Sequence, residues 1–275
     1  IIIGAIDSPE ILYLADSVIL DKSPDSNTVA SIIDDFIRDW KIEKKDFALL
    51  LSDAAPYMVS CAKGLKIFYP GLIHITCVAH LLHNCCMRIQ SNFDDVNHLI
   101  SSIRMAILKN QARREMFNEI GLPPDVIITR WGLWMRAVIY YSKNLPQIQE
   151  LVESFDDDGK IVSKAKEAVR NPSLSLNLTK ILYQYRCILE NIEMCESKTF
   201  SIKKAADMLN KLNFKEDECG IMQYLEKRLK NLEINTIIEQ KDKSISPETY
   251  AHLLECPSTT VSVERSFSML NKLLT

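Results

Sequence analysis

The sequence predicts an α/β protein in which a mixed β-sheet precedes a long helical segment. The first 80 residues read as strand, strand, helix, strand, helix and strand, which is the order of an α/β layer. From about residue 77 to residue 250, the apolar residues recur almost only at helical spacing. Only 7 of the 275 residues are glycine, and a chain this poor in turn-forming glycine is expected to be mostly helical. This order suggests a helical insertion or a second subdomain.

The strands are predicted from short apolar runs. Residues 1–6 and 11–20 are two such runs, separated by the turn "DSPE". The run "DFALLLS" at 46–52 predicts a buried strand. The stretch "LIHITCVAH" at 72–80 is β-branched at its start and then continues as a helical pattern. Between these runs, a helix is predicted to begin near Ser26.

The later helices are predicted from periodicity alone. Breaks occur at "GLPPD", "DDDGK", "NPSLS" and "KSISP". The predicted helical ranges are 94–120, 131–155, 160–170, 175–213 and 217–240.

The composition limits the class of protein. A hydrophobic fraction of 47% and a charged fraction of 25% predict a packed core. The net charge of −3 is not that of a polybasic nucleic-acid binder, so any DNA contact must come from local patches. The eight cysteines lack the spacing of a disulfide framework, which favours reduced thiols in a cytosolic or nuclear protein. No run of about 18 apolar residues occurs, so no membrane span is predicted.

Asp53 comes directly after an apolar run, at the end of a predicted strand. Open α/β sheets bind ligands beyond the carboxyl ends of their strands, where an aspartate can hold a metal or transfer a proton. The alternative is that Ser52 or Asp53 caps the helix that begins near Pro56.

Cys77 and His80 form a Cys-x-x-His pair, with His83, Cys85 and Cys86 close behind. Such a pair is half of a zinc site, but no second closely spaced Cys/His pair follows it. Packing within a helix is therefore favoured, and His80 can still line a pocket at the sheet edge.

The stretch "ITRWGLWMRAVIYY" at 128–141 is aromatic and basic. Trp131 and Trp134 are three residues apart and share one helix face. They are either an aromatic core face or a stacking platform beside a cation, which suits an unstacked nucleobase and a phosphate.

The stretch "CPSTTVSVERSFSML" at 256–270 reads as a loop that enters a helix. Glu264 lies there among apolar neighbours, and a half-buried glutamate is costly without a partner or a metal. An ion pair at the helix terminus is the alternative explanation.

Four stretches in one order resemble the transposases of the hAT superfamily. They are "LLLSDAAPYM", "YPGLIHITCVAHLLH", "PPDVIITRWGLWMRAVIYY" and "CPSTTVSVERSFSMLNK". The resemblance implies a ribonuclease H-like mixed-sheet core that is interrupted by a helical insertion, with a C-terminal helical segment that returns to the core. The expected domains are 1–80 for the first part of the core, 81–245 for the insertion, and 246–275 for the last part of the core with the dimerisation segment.

The resemblance also implies a site of three carboxylates that holds two divalent metals, with Mg²⁺ or Mn²⁺ expected at oxygen ligands. Asp53 matches the family's second Asp, and Glu264 matches its catalytic Glu, so both are expected to be catalytic and to bind metal. The first Asp is expected to be missing, because "IIIGAID" resembles the family's second strand and Asp7 is expected to be a turn residue.

The remaining motif residues are assigned by the same resemblance. Cys77 and His80 match a motif that lies near the active site. Arg130 and Trp131 match an Arg-Trp pair that binds DNA, in which the Trp is thought to stack on a flipped base.

Two functions of different classes follow from the resemblance. The first is metal-dependent cleavage and strand transfer of DNA at transposon ends, in the nucleus. The second is a domesticated or decayed relative that binds DNA without catalysis. In either, a homo-oligomer is expected to form through the C-terminal segment, around residues 250–275.

Overall fold

A computed structural model describes residues 1–108, 110–126, 132–156, 159–197, 200–213, 217–229, 234–239 and 245–274. These residues form a mostly helical chain with small sheets, so the prediction of a broadly α/β protein is confirmed at that level. Across the described ranges, none of the helices combines the length and the apolarity that a membrane span requires. All eight cysteines are free thiols, as predicted.

The helices account for most of the described chain. They are α1 (Ser26–Asp39), α2 (Pro56–Phe68), α3 (Val78–Gln90), α4 (Asp94–Leu108), α5 (Gln111–Glu115), α6 (Leu133–Glu153), α7 (Lys160–Val169), α8 (Leu174–Cys195), α9 (Ile202–Lys211), α10 (Ile221–Leu229), α11 (Ile234–Ile238), α12 (Pro247–Glu255) and α13 (Val261–Leu274). A 3-10 helix spans Lys44–Asp46.

The described strands form two separate two-stranded sheets, so the prediction of one mixed sheet is wrong for this part of the chain. The strands are β1 (Ile2–Ile3), β2 (Tyr13–Leu14), β3 (Leu49–Ser52) and β4 (Ile73–Thr76). The first pair is antiparallel and the second is parallel.

The first two strands are much shorter than the apolar runs that predicted them. Ile19, in the second run, has 90% of its surface exposed, and most of residues 11–20 are exposed as well. An apolar run extends as a strand only where it has a hydrogen-bonding partner, and here the pairing covers two residues on each side. Asp7 lies in the turn between them, as predicted.

Two predicted helices are each divided by a polar cap. Within the range 94–120, the side chain of Asn110 accepts a hydrogen bond from the backbone N–H of Arg113 and begins α5. Within the range 175–213, Ser201 caps α9 in the same manner. Asparagine and serine both favour cap positions over helix interiors. The helical periodicity on both sides of each cap concealed the break between the two helices.

The chain divides into two compact units. The first comprises residues 1–81, 193–212 and 223–275, and the second comprises 82–192 and 213–222. Residues 193–212 therefore group with the first unit, although the expected insertion included them. Ser201 forms a β-bridge with Pro257, which ties α9 to the C-terminal part of the first unit.

A cluster of apolar side chains supports the β3–β4 pair in the first unit. It contains residues of α1 and α2 and of the segment that leads to β4, and Leu50 of β3 packs against it. Its buried members are Phe36, Ile37, Cys61, Leu65, Tyr69 and Leu72.

The second unit has its own core, in which α7 packs against α4 and α6. Ile103 on α4, Ile148 on α6 and Val162 on α7 are buried there. Trp134 is also buried, and its indole N–H donates to Oδ1 of Asn97 at 2.9 Å. This supports the packing interpretation of Trp134.

Candidate functional site

Two residues with chemically active side chains follow the carboxyl ends of neighbouring parallel strands. Ser52 ends β3 opposite Thr76, which ends β4. Asp53 and Cys77 come next, and the backbone N–H of Cys77 donates to the carbonyl of Ser52 at 2.7 Å. Because parallel strands end at the same sheet edge, Asp53 and Cys77 are brought to one place.

Asp53 does not cap the helix that follows it. Its Oδ1 accepts the backbone N–H of Ala55 at 3.1 Å and closes a short turn. Ala55 is the N-cap residue of α2, and no side chain caps that helix. The capping alternative is therefore wrong. The pKa of Tyr57, in the first turn of α2, is raised by burial and by the negative charge of Asp53.

Sequence reasoning missed a buried hydrogen-bonded pair under this turn, formed by Ser52 and His74. Ser52 Oγ donates to the carbonyl of Asp53 at 2.7 Å and lies 2.9 Å from Nε2 of His74. Since its one proton goes to Asp53, Ser52 accepts from the Nε2–H of His74. The pair fixes the peptide that carries Asp53. Only the strand register brings the two together, and no local sequence signal reveals it.

The segment at 257–260 returns the end of the chain to this sheet edge. Ser258 donates its backbone N–H to the carbonyl of Phe200 at 3.1 Å. The carbonyl of Ser258 accepts from the backbone N–H of Val78, at the start of α3, at 3.0 Å. The segment is thus held between α3 and the residues that precede α9.

The start of α13 is fixed by the same segment. The backbone N–H of Thr260 donates to Sγ of Cys77 at 3.2 Å. The backbone N–H of Glu264 donates to the carbonyl of Thr260 at 3.2 Å, which places Glu264 in the first turn of α13. Glu264 therefore lies near α3.

His80 contacts Glu264 directly, because its Nε2 lies 3.2 Å from Oε1 of that residue. The pKa of His80 is raised above its ordinary value. The main cause is its hydrogen bond with Cys77, burial opposes the shift, and the negative charges of Cys77, Glu264 and Asp53 add to it. The environment therefore favours an imidazolium.

The two carboxylates share this environment. The pKa of Glu264 is raised, first by burial and further by Asp53, while His80 opposes the shift. The side chain of Glu264 is 42% exposed, so solvent reaches it. Glu264 therefore contacts His80, and the negative charge of Asp53 acts on both side chains.

Cys77 differs from the other seven cysteines. It is only 1% exposed, and burial alone would raise its pKa, yet hydrogen bonds from His80 and Thr260 hold its pKa below the ordinary value. Each of the other thiols has a raised pKa, with burial as the largest cause. The surroundings of Cys77 therefore favour its thiolate form more than those of the other cysteines do.

The oxygen donors present fit part of a metal site. Two carboxylates suit Mg²⁺ or Mn²⁺, which complete their coordination with water and phosphate oxygens. Within the described ranges, no group of three or more His, Cys, Asp or Glu side chains is arranged to hold a metal ion. Asp53 and Glu264 would be the protein ligands.

Arg130 and Trp131 lie outside the described residues. Most side chains of the expected dimerisation segment beyond Ser266 do as well, apart from exposed Met269. The DNA-binding and dimerisation assignments therefore stay predictions.

Comparisons with protein-family models, with curated proteins and with solved structures found no match to this chain.

Proposed function

We propose that this chain is the catalytic region of a hAT-like transposase that cleaves and joins DNA strands. The observation that supports it best is the contact between Glu264 and His80 within the electrostatic influence of Asp53, although the two acids lie far apart in the sequence. The four ordered motifs and the α/β start followed by helices support a ribonuclease H-like core with a helical insertion, although the described strands form two separate sheets. Transposon ends in the nucleus, and a second copy of the chain, are the partners that the proposal implies.

Each residue of the site has a distinct part in the proposed reaction. Asp53 and Glu264 would hold the divalent cations, which would supply activation of the attacking oxygen and stabilisation of the in-line displacement at phosphorus. His80 contacts Glu264, and its raised pKa favours a positive charge there, which would limit the repulsion between Glu264 and Asp53. Ser52 and His74 keep the Asp53 peptide in place from beneath.

Nicking of supercoiled plasmid DNA in Mn²⁺ tests this function. The wild-type protein should convert the plasmid to the open-circular form, and Asp53→Asn and Glu264→Gln should each slow the reaction by about two decades or more, since loss of a metal ligand removes several kcal/mol of transition-state stabilisation. Asp39→Asn is the matched control, because Asp39 is an exposed aspartate at the end of α1. Equal nicking by all four proteins would contradict the assignment.

A second candidate is a transposase-derived protein that binds DNA without cutting it. The pairing of Glu264 with His80 favours it, because the contact with the imidazole occupies a carboxylate that a metal would otherwise bind. Under this function, the wild-type protein binds hairpin DNA ends but leaves plasmid intact in both Mg²⁺ and Mn²⁺.

A further inference from the structure

The sulfur of Cys77 joins two elements of the candidate site. It accepts the backbone N–H of Thr260, just before α13, at 3.2 Å. Cys77 also directly precedes α3, which carries His80 in its first turn. The sulfur therefore links the two helices that make the His80–Glu264 contact, because Glu264 is fixed to Thr260 through the first turn of α13.

We propose that Cys77 is a positioning residue that sets the distance between His80 and Glu264. Its sulfur anchors the start of the helix that carries the glutamate to the residue that precedes α3. Its effect on DNA cleavage rests on the proposed function, whereas its effect on the geometry of the site does not.

An ordinary buried cysteine would not have this role. Free cysteines usually pack as small apolar side chains with a weak S–H donor. Cys256 shows that behaviour, because its Sγ donates to the carbonyl of His252 at 3.6 Å. Cys77 has the opposite polarity, since its sulfur accepts an N–H, and a thiolate is a much stronger acceptor than a thiol.

The burial of Thr260 makes the sulfur necessary as an acceptor. Thr260 is 8% exposed, so water does not readily replace a lost partner for its backbone N–H. In Cys77→Ala, the buried N–H of Thr260 loses its partner. In Cys77→Ser, a hydroxyl of similar size remains as an acceptor, although it stays uncharged.

Amide hydrogen exchange tests the geometry directly. The exchange rate of the Thr260 amide, measured by NMR in the full chain, should rise about tenfold in Cys77→Ala, as expected for loss of one buried hydrogen bond. Cys77→Ser should give an intermediate rate. Cys61→Ala is the control, because Cys61 is equally buried in the core of the same unit and has a raised pKa. Rates are compared after correction for any change in global unfolding.

Plasmid nicking by the same variants provides the second readout. Cys77→Ala should lower the maximal nicking rate by about tenfold, while the Mn²⁺ concentration that gives the half-maximal rate stays the same. Cys77→Ser should restore part of the rate. If the wild-type protein does not nick DNA, the proposed function fails and the exchange result still decides the positioning role. A wild-type exchange rate for Thr260 in Cys77→Ala, or an equal rise in Cys61→Ala, would overturn the inference.

Discussion

His80 Nε2 lies 3.2 Å from Glu264 Oε1, which joins the first turns of α3 and α13. Asp53 contributes to the charge around both side chains. The imidazole thus lies beside Glu264, where the charge of Asp53 also acts. Without this partner, a half-buried glutamate near an aspartate would be costly.

The low pKa of Cys77 predicts an early thiolate signal. Thiolate absorbance near 240 nm should show a first step below the ordinary thiol pKa of about 8.5. Because the other seven thiols have raised pKa values, they should titrate above that value. Cys77→Ser should remove the first step and Cys256→Ser should leave it. An early step that survives Cys77→Ser would refute this prediction.

Trp131 is predicted to stack on an extrahelical base at a DNA end. Stacking of this kind is worth about 1–3 kcal/mol per base, so Trp131→Ala should weaken binding to hairpin or flipped-base DNA by about one to two decades. Binding to intact duplex should change much less, because its bases are already stacked. Fluorescence anisotropy with both DNA types measures the difference.

Trp134 is the internal control for that variant. It is buried and hydrogen-bonded to Asn97, so Trp134→Ala should cost about 3–5 kcal/mol of stability and lower the melting temperature. The stacking hypothesis fails if Trp131→Ala melts as early as Trp134→Ala while its folded fraction binds hairpin DNA normally.

Position 132, which precedes α6 and follows the Arg-Trp pair, requires a glycine. Its φ is +70°, and a Cβ there would lie 2.7 Å from Cδ1 of Leu189. Gly132→Ala should therefore destabilise the protein by more than about 1 kcal/mol. Gly64 provides the opposite case inside α2, where an added Cβ meets nothing within 4 Å, so Gly64→Ala should stabilise by about 0.5–1 kcal/mol. Thermal melts in which both variants shift the same way would contradict this pair of predictions.

The sequence predicted those parts of the fold that depend on local pattern. Helix α1 begins at Ser26 as expected, although its cap is Asp25, whose carboxylate accepts the N–H groups of Asn27 and Thr28. The loop that enters a helix near Glu264 was also predicted, and α13 begins at Val261. Both positions follow from apolar periodicity next to a polar run.

The features that sequence reasoning missed depend on long-range pairing. The contact between Thr260 and Cys77 arises only because the chain returns to the edge of β4. The pair of Ser52 and His74 depends on the parallel register of β3 and β4, which apolar runs alone do not specify. The predicted lengths of β1 and β2 were wrong for the same reason, because hydrogen-bond pairing decides where a strand ends.

Binding of Mn²⁺, followed by the loss of the free-ion electron paramagnetic resonance signal, tests the central claim most directly. If Asp53 and Glu264 hold a cation together, the wild-type protein should bind Mn²⁺, and Asp53→Asn and Glu264→Gln should each raise the dissociation constant by at least about tenfold, because affinity depends on the charge of the ligands. Asp39→Asn should bind as the wild type does. Unchanged Mn²⁺ affinity in either site variant would contradict a shared metal site.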